Sequence, residues 1–243
     1  WNEGAWLTRH NNRYYLQYAA PGTEYRTYAD GVYTSASPLG PFEYESYSPF
    51  SYKPGGFAGG AGHGSTFQDK YGNYWHIATM SISIRHMFER RLGLFPAAFD
   101  EEGVLRTFTA FGDYPAILPE RKVDFEKENT FTRWMLLSYK KNAESSSEVD
   151  GFPVSNAFDE DIRTWWSAAT GDSGEWLSVE LDDASTVTAI QVNFADHEST
   201  LKPDSRDIFY RYRILASHDG KSWDVIADKR KSTTDACHDY IQL

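Results

Sequence analysis

The chain has 243 residues, enough for two domains of ordinary size, with a single cysteine, Cys237, that rules out an intrachain disulfide. Its formal net charge is −11, split as −2 over residues 1–118 and −9 over 119–243, which argues against nucleic acid or an anionic membrane surface as partner. No apolar run reaches the length of a membrane span.

Aromatic residues make up 16% of the chain, which suits either an all-β core or faces on which sugar rings stack. Trp1 opens in mid-pattern without an initiator methionine, so the chain reads as an internal segment of something longer, and a missing leader carries no information. Two apolar runs around His10-Asn11-Asn12-Arg13 predict a hairpin whose second strand is Tyr14 to Ala19. Glu3 sits at its entry, beside Gly4. By composition alone it is an exposed carboxylate near a chain end. Thr27 to Ser35 predicts a further strand, closed by the turn Ser37-Pro38-Leu39-Gly40-Pro41-Phe42. Strand and turn units punctuated by aromatics and glycine are the cue for propeller blades.

Residues Gly59 to Ile77, GGAGHGSTFQDKYGNYWHI, are the most organised stretch. Glycines on both sides of His63 allow a sharp bend and close approach, so the imidazole is aimed at something. Ser65 to Phe67 and Tyr74 to Ala78 then predict two strands around the turn Asp69 to Asn73. Glu89 to Pro96 follows, with Arg90 and Arg91 readable as rim charges on a strand, paired with Glu89. Residues 120–131 are charged and poor in large apolar side chains, which predicts an exposed linker between a first domain, 1–119, and a second, 132–243.

Three segments of the first domain resemble glycoside hydrolase family 43. WNEGAWLTRHNNRYYLQYA is similar to its E-G-P hairpin, with Ala5 where the family has Pro; GHGS with the following Tyr-Trp is similar to its G-H segment; ERRLGLFP is similar to its R-x-T-F-L-x-P segment, with Leu92-Gly93 in place of Thr-Phe. The resemblance implies the later blades of a five-bladed β-propeller. It also implies Glu3 as general acid, Arg90 as a substrate contact, and His63 near a central metal ion, commonly calcium, usually held through water. The general base and a pKa-tuning aspartate would then lie upstream of Trp1, and the fragment alone would be inactive.

The second domain resembles the discoidin domain (coagulation factor 5/8 type C), which shares its architecture with carbohydrate-binding module family 32. Ser155-Asn156-Ala157-Phe158-Asp159-Glu160-Asp161-Ile162-Arg163-Thr164-Trp165-Trp166 carries the signature, with Glu160 replacing the usual glycine. Gly174 to Leu181, Val187 to Phe194 and Tyr212 to Trp223 fit its later strands, and the final strand is missing. A β-sandwich (jelly roll) follows, making the fold class all-β throughout. Asp159, Asp161 and Thr164 are expected to hold a structural calcium, and His197, Arg206 and Trp223 are candidate glycan contacts.

Together these readings imply an inverting glycosidase acting on oligo- or polysaccharide of plant type, arabinofuranoside- or xyloside-like. They place it outside a bacterial cell: secreted, periplasmic or on the surface. The Glu3 carboxyl is expected to have a raised pKa, and Arg90 to face the sugar rather than Glu3. The alternatives are a non-catalytic carbohydrate-binding protein and a propeller enzyme of different chemistry, such as fructan hydrolysis.

Overall fold

A computed structural model describes residues 1–81, 90–131, 134–195, 197 and 209–243. The described residues contain fifteen strands and one short 3-10 helix, so the all-β expectation holds. They divide into two compact units, the first taking in 1–136 with 160–163, the second 137–159 with 164–243. No helix among them is long and apolar enough to cross a membrane.

The first unit is built from two antiparallel meanders. Strands β1 (Glu3–His10), β2 (Arg13–Ala20) and β3 (Ala29–Ser35) form one, with the short β4 (Glu43–Tyr44) and β5 (Ser51–Tyr52) also pairing with β3. The other comprises β6 (Gly59–Gln68), β7 (Tyr74–Ser81), β8 (Arg90–Phe99) and β9 (Leu105–Thr107). A parallel bridge between Ala29 and Ala61 joins them. The period of two in β2 buries Tyr15, Gln17 and Ala19 on one face. Tyr15 packs with Val32, Phe50 and Leu105, while Ala58, Ala61, Ala78, Met80 and Phe95 form a second cluster. Each large apolar side chain buried this way contributes about 1.5–3 kcal/mol before entropy is counted.

The turn between β6 and β7 is set by Asp69, whose carboxylate accepts the amides of Tyr71 (2.8 Å) and Asn73 (2.9 Å) and the Trp75 indole N–H (2.8 Å). Two readings of the sequence are corrected here. Residues 59–64 do not lead up to a strand but are part of β6, which tolerates them because its pairing with β7 shifts register between Gly59 and Gly62 and again between Gly62 and Ser65. Residues 120–131 are not an exposed linker. Val123 and Phe125 are buried against Trp75, and Asn73 accepts the Val123 amide at 2.8 Å. Lys122, Asp124 and Glu126 alternate with those two side chains, so the segment looks charged by composition while presenting an apolar face to the core.

The second unit holds three two-stranded antiparallel ladders: β10 (Ala143–Ser145) with β11 (Leu177–Val179), β12 (Ala189–Asn193) with β15 (His238–Gln242), and β13 (Arg213–Ala216) with β14 (Asp224–Asp228). Between β13 and β14 the chain reverses at Asp219-Gly220, with Gly220 at φ +66° and the Asp219 carboxylate accepting the Lys221 and Ser222 amides at 2.8 Å. The strand expected over 174–181 keeps its ladder only over 177–179. Its first residues are drawn into loop contacts, since the Glu175 carboxylate accepts hydroxyls from Ser146, Ser147 (2.7 Å) and Thr170 (2.8 Å), which push its pKa down to about 2.

Candidate active site

Glu3 stands at the start of β1, where the strand slips register against β2 between Glu3 and Trp6. Gly4 lies in that bulge at φ +66°, and a Cβ there would come within 2.7 Å of the His63 ring. Glycine is therefore required twice, by the backbone and by the imidazole packed on it. His63 lies in β6, and its Nδ1 is 3.7 Å from Glu3 Oε1. The same oxygen accepts the hydroxyl proton of Tyr28 at 2.7 Å. Arg90, at the start of β8, donates from Nη1 to Thr23 Oγ1 at 3.5 Å and lies within electrostatic reach of both Glu3 and Tyr28. Four residues that lie far apart in the sequence thus converge. Glu3 and His63 keep 35% and 46% of their side chains exposed.

These neighbours set the charge of the site. The Tyr28 hydrogen bond, then the His63, Trp1 and Arg90 contributions, hold the Glu3 carboxyl below its usual range against the opposing effect of burial. The sequence reading expected the opposite shift. The phenol donor, together with the contributions of His63, Trp1 and Arg90, outweighs the partial desolvation. Tyr28 answers in kind: burial first, and the bond to Glu3 second, push its phenol well above its ordinary value.

The sequence reading missed Tyr28, Asp30 and His76. Asp30 is buried in β3, and its carboxylate accepts the backbone N–H of His63 at 2.7 Å and of Gly64 at 2.8 Å. His76, buried in β7, places Nε2 3.0 Å from Asp30 Oδ2. The available signal was an aspartate inside TYADGVYTS and a histidine inside YWHIA, each a polar residue in a strand of otherwise core composition.

The second proposed cluster is arranged differently. Thr164 Oγ1 donates to Asp159 Oδ2 at 2.6 Å, within the second unit. Asp161 belongs to the stretch counted with the first unit, where its carboxylate pairs with Arg26 and accepts the Arg163 amide at 2.9 Å. Glu160 occupies the glycine position of the signature and adopts φ 61°, the left-handed conformation that glycine would supply without strain. Among the described residues no group of three or more His, Cys, Asp or Glu is placed to hold a metal ion. Around His63 the structure places one imidazole and the Glu3 carboxylate, so calcium there, which takes about six to eight oxygens, would draw most of its shell from water.

Of the remaining candidates, His197 accepts the Trp165 indole N–H at 2.9 Å and packs on Phe152. Trp223 is half exposed. Arg206, and Glu89 as a partner for Arg90, lie outside the described residues.

Residues 1–105 match the sequence model of glycosyl hydrolases family 43, and residues 140–240 match that of the F5/8 type C domain. A comparison with curated proteins returned no match. Among solved structures, an endo-1,4-beta-xylanase from Bacteroides thetaiotaomicron is 31% identical over 44% of this chain and 38% of its own, with a TM-score of 0.41. A xylan beta-1,4-xylosidase from Bacillus halodurans is 26% identical over 44% of this chain and 21% of its own, with a TM-score of 0.39. A protein described as a glycoside hydrolase is 22% identical over 100% of this chain and 54% of its own, with a TM-score of 0.49. The chain thus spans less than two thirds of each of these proteins. The two motif resemblances and the two matched stretches coincide. The described residues are all-β, residues 1–105 carry the family 43 sequence pattern and residues 140–240 that of the F5/8 type C domain, each stretch spanning less than half of the chain.

Proposed function

We propose that this chain is part of an inverting glycosidase acting on arabinofuranosides or xylosides of plant-type polysaccharide, outside a bacterial cell. In this reading Glu3 is the general acid, Arg90 a substrate contact, and the second unit a weak binder of neutral glycan. The observation that carries the reading is the meeting of Glu3, Tyr28, His63 and Arg90 in a half-open site within the stretch that matches family 43. An inverting hydrolysis needs an acid on the leaving oxygen and an opposing carboxylate about 6.5–9.5 Å away, with a water between them. The opposing base is proposed to lie outside this chain, which spans 38% of the xylanase it resembles.

Glu3 must carry a proton when it acts. The Tyr28 hydrogen bond and the His63, Trp1 and Arg90 contributions favour the carboxylate in the open site, so the proton is proposed to be gained when a bound sugar removes water from the carboxyl. Tyr28 then keeps Oε1 oriented, and Arg90 holds sugar hydroxyls with its planar donors. Calcium in the loop 159–164 remains part of the proposal only as an exchange of partners, because the ion would have to displace Arg26 from Asp161 and Thr164 from Asp159.

The test uses the protein at its full natural length. Proton NMR of the first anomer released from arabinan or xylan oligosaccharides should show inversion at the anomeric carbon. Retention of configuration would reject the mechanism. Binding to the same glycans without hydrolysis would leave a carbohydrate-binding protein.

A further inference from the structure

His63 is a non-glycine residue at φ 55°, a conformation that persists only where the surroundings enforce it. The enforcing group is a side chain on another strand. Asp30 in β3 gives one carboxylate oxygen to the His63 amide (2.7 Å) and the other to the Gly64 amide (2.8 Å). Relaxed to ordinary strand geometry, His63 would carry its ring away from Glu3, because successive strand side chains point to opposite faces.

Asp30 is itself prevented from turning. His76 Nε2 sits 3.0 Å from Asp30 Oδ2, and Nδ1 of the same ring sits 3.0 Å from Thr66 Oγ1. Thr66 gives its hydroxyl proton to Gln17 Oε1 at 2.8 Å, and Gln17 Nε2 donates to Thr8 Oγ1 at 2.9 Å. Gln17, Asp30, Thr66 and His76 are all buried, and the chain they form runs through β2, β3, β6 and β7 to the strand that carries Glu3. Gly64 leaves room for this arrangement, since a Cβ there would lie 2.3 Å from His76 Nε2 and 2.6 Å from Asp30 Oδ2. A buried network with its polar atoms satisfied specifies one geometry of the groups it holds.

We propose that Asp30 is a positioning residue of the Glu3 site: clamped by His76, it holds the His63 backbone in the left-handed conformation that turns the imidazole onto Glu3. Asp30→Asn is the direct test, because the amide keeps one acceptor but presents N–H donors to a partner that also donates. In this chain, amide exchange of His63 and Gly64 should accelerate about tenfold or more relative to Phe67 in the same strand. A loosening shared equally by all of β6 and β7 would mean that Asp30 is only part of the core, and would overturn the proposal.

The second readout rests on the glycosidase reading. In the full-length protein, kcat per folded molecule should fall about tenfold or more while KM stays within about twofold, since positioning acts on the reacting geometry. An unchanged kcat per folded molecule overturns the catalytic part. Wild-type protein that hydrolyses no glycoside defeats the proposed function alone, and the exchange result then decides the clamp. If Asp30→Asn does not fold, wild-type exchange decides: His63 and Gly64 amides among the slowest in β6 support the clamp, and rates of an exposed turn refute it.

Discussion

Replacing Gly64 by alanine should be among the most damaging single-methyl changes in the first unit. The added Cβ would lie 2.3 Å from His76 Nε2, 2.5 Å from its Cε1 and 2.6 Å from Asp30 Oδ2, all well inside the 3.4 Å at which ordinary contact begins. Neither neighbour can yield into solvent, because the His76 and Asp30 side chains are 0% and 1% exposed. Forcing a methyl into a packed site costs about 1–3 kcal/mol, and breaking a charge-assisted bond between buried groups adds about 1.5–3 kcal/mol. The expected loss is therefore about 2.5–6 kcal/mol. Urea unfolding read by pulsed hydrogen exchange of peptides from β7 reports on the first unit alone. Gly55→Ala is the control, since nothing lies within 4 Å of its added Cβ, and it should change stability by less than about 1 kcal/mol. Should Gly64→Ala also fall within about 1 kcal/mol of wild type, the packing of His76 against Asp30 would not constrain this position.

Tyr28→Phe removes the largest influence holding the Glu3 carboxyl low, so the Glu3 midpoint in a 13C-carboxyl titration should move upward; an unmoved midpoint removes Tyr28 as the cause. Because the folded value is depressed, the stability this contact contributes is present above the unfolded carboxyl pKa and fades as pH falls through the folded one. The difference in melting temperature between wild type and Tyr28→Phe should accordingly shrink on acidification. Lys53 and Asp113 pair at 3.0 Å with side chains 2% and 6% exposed, so Lys53→Met should cost about 3–5 kcal/mol, and adding Asp113→Leu should recover much of it. No recovery in chemical denaturation of the double variant would mean that the pair is not the unit of the effect. The second unit should melt higher with calcium than with chelator if the loop 159–164 exchanges its partners for an ion, and identical melting curves would discard calcium there.

The sequence made part of this site legible because local motifs carried it. His63 between glycines could be read from its neighbours, whereas Glu3 looked like an exposed carboxylate by composition and was picked out only through the family 43 resemblance; the structure brings the two side chains to 3.7 Å. Tyr28, Asp30 and His76 could not be read that way. Their roles depend on the parallel bridge between Ala29 and Ala61 and on the double bulge of β6, which are long-range pairings with no local signature. The direction of the Glu3 pKa shift was lost for the same reason, since its largest cause is a tyrosine twenty-five residues away. Residues 120–131 misled by composition, because two buried side chains among many charged ones are enough to dock a segment. In the second unit the Asp159 and Thr164 pairing lies within one short stretch of the sequence. The pairing of Asp161 with Arg26 does not, because Arg26 lies far away in the sequence.

The most direct measurement of the central claim compares wild type with Glu3→Gln at full natural length, on natural arabino- or xylo-oligosaccharide and on an aryl glycoside with a good leaving group. A glutamine keeps the shape of the side chain and an acceptor for Tyr28 but cannot deliver a proton. If Glu3 protonates the leaving oxygen, the natural substrate should lose about 10²–10⁴-fold in kcat, the range of general acid catalysis, while the activated glycoside, which needs little protonation, loses far less. Equal activity of Glu3→Gln and wild type on the oligosaccharide would contradict the assignment of Glu3 as the acid.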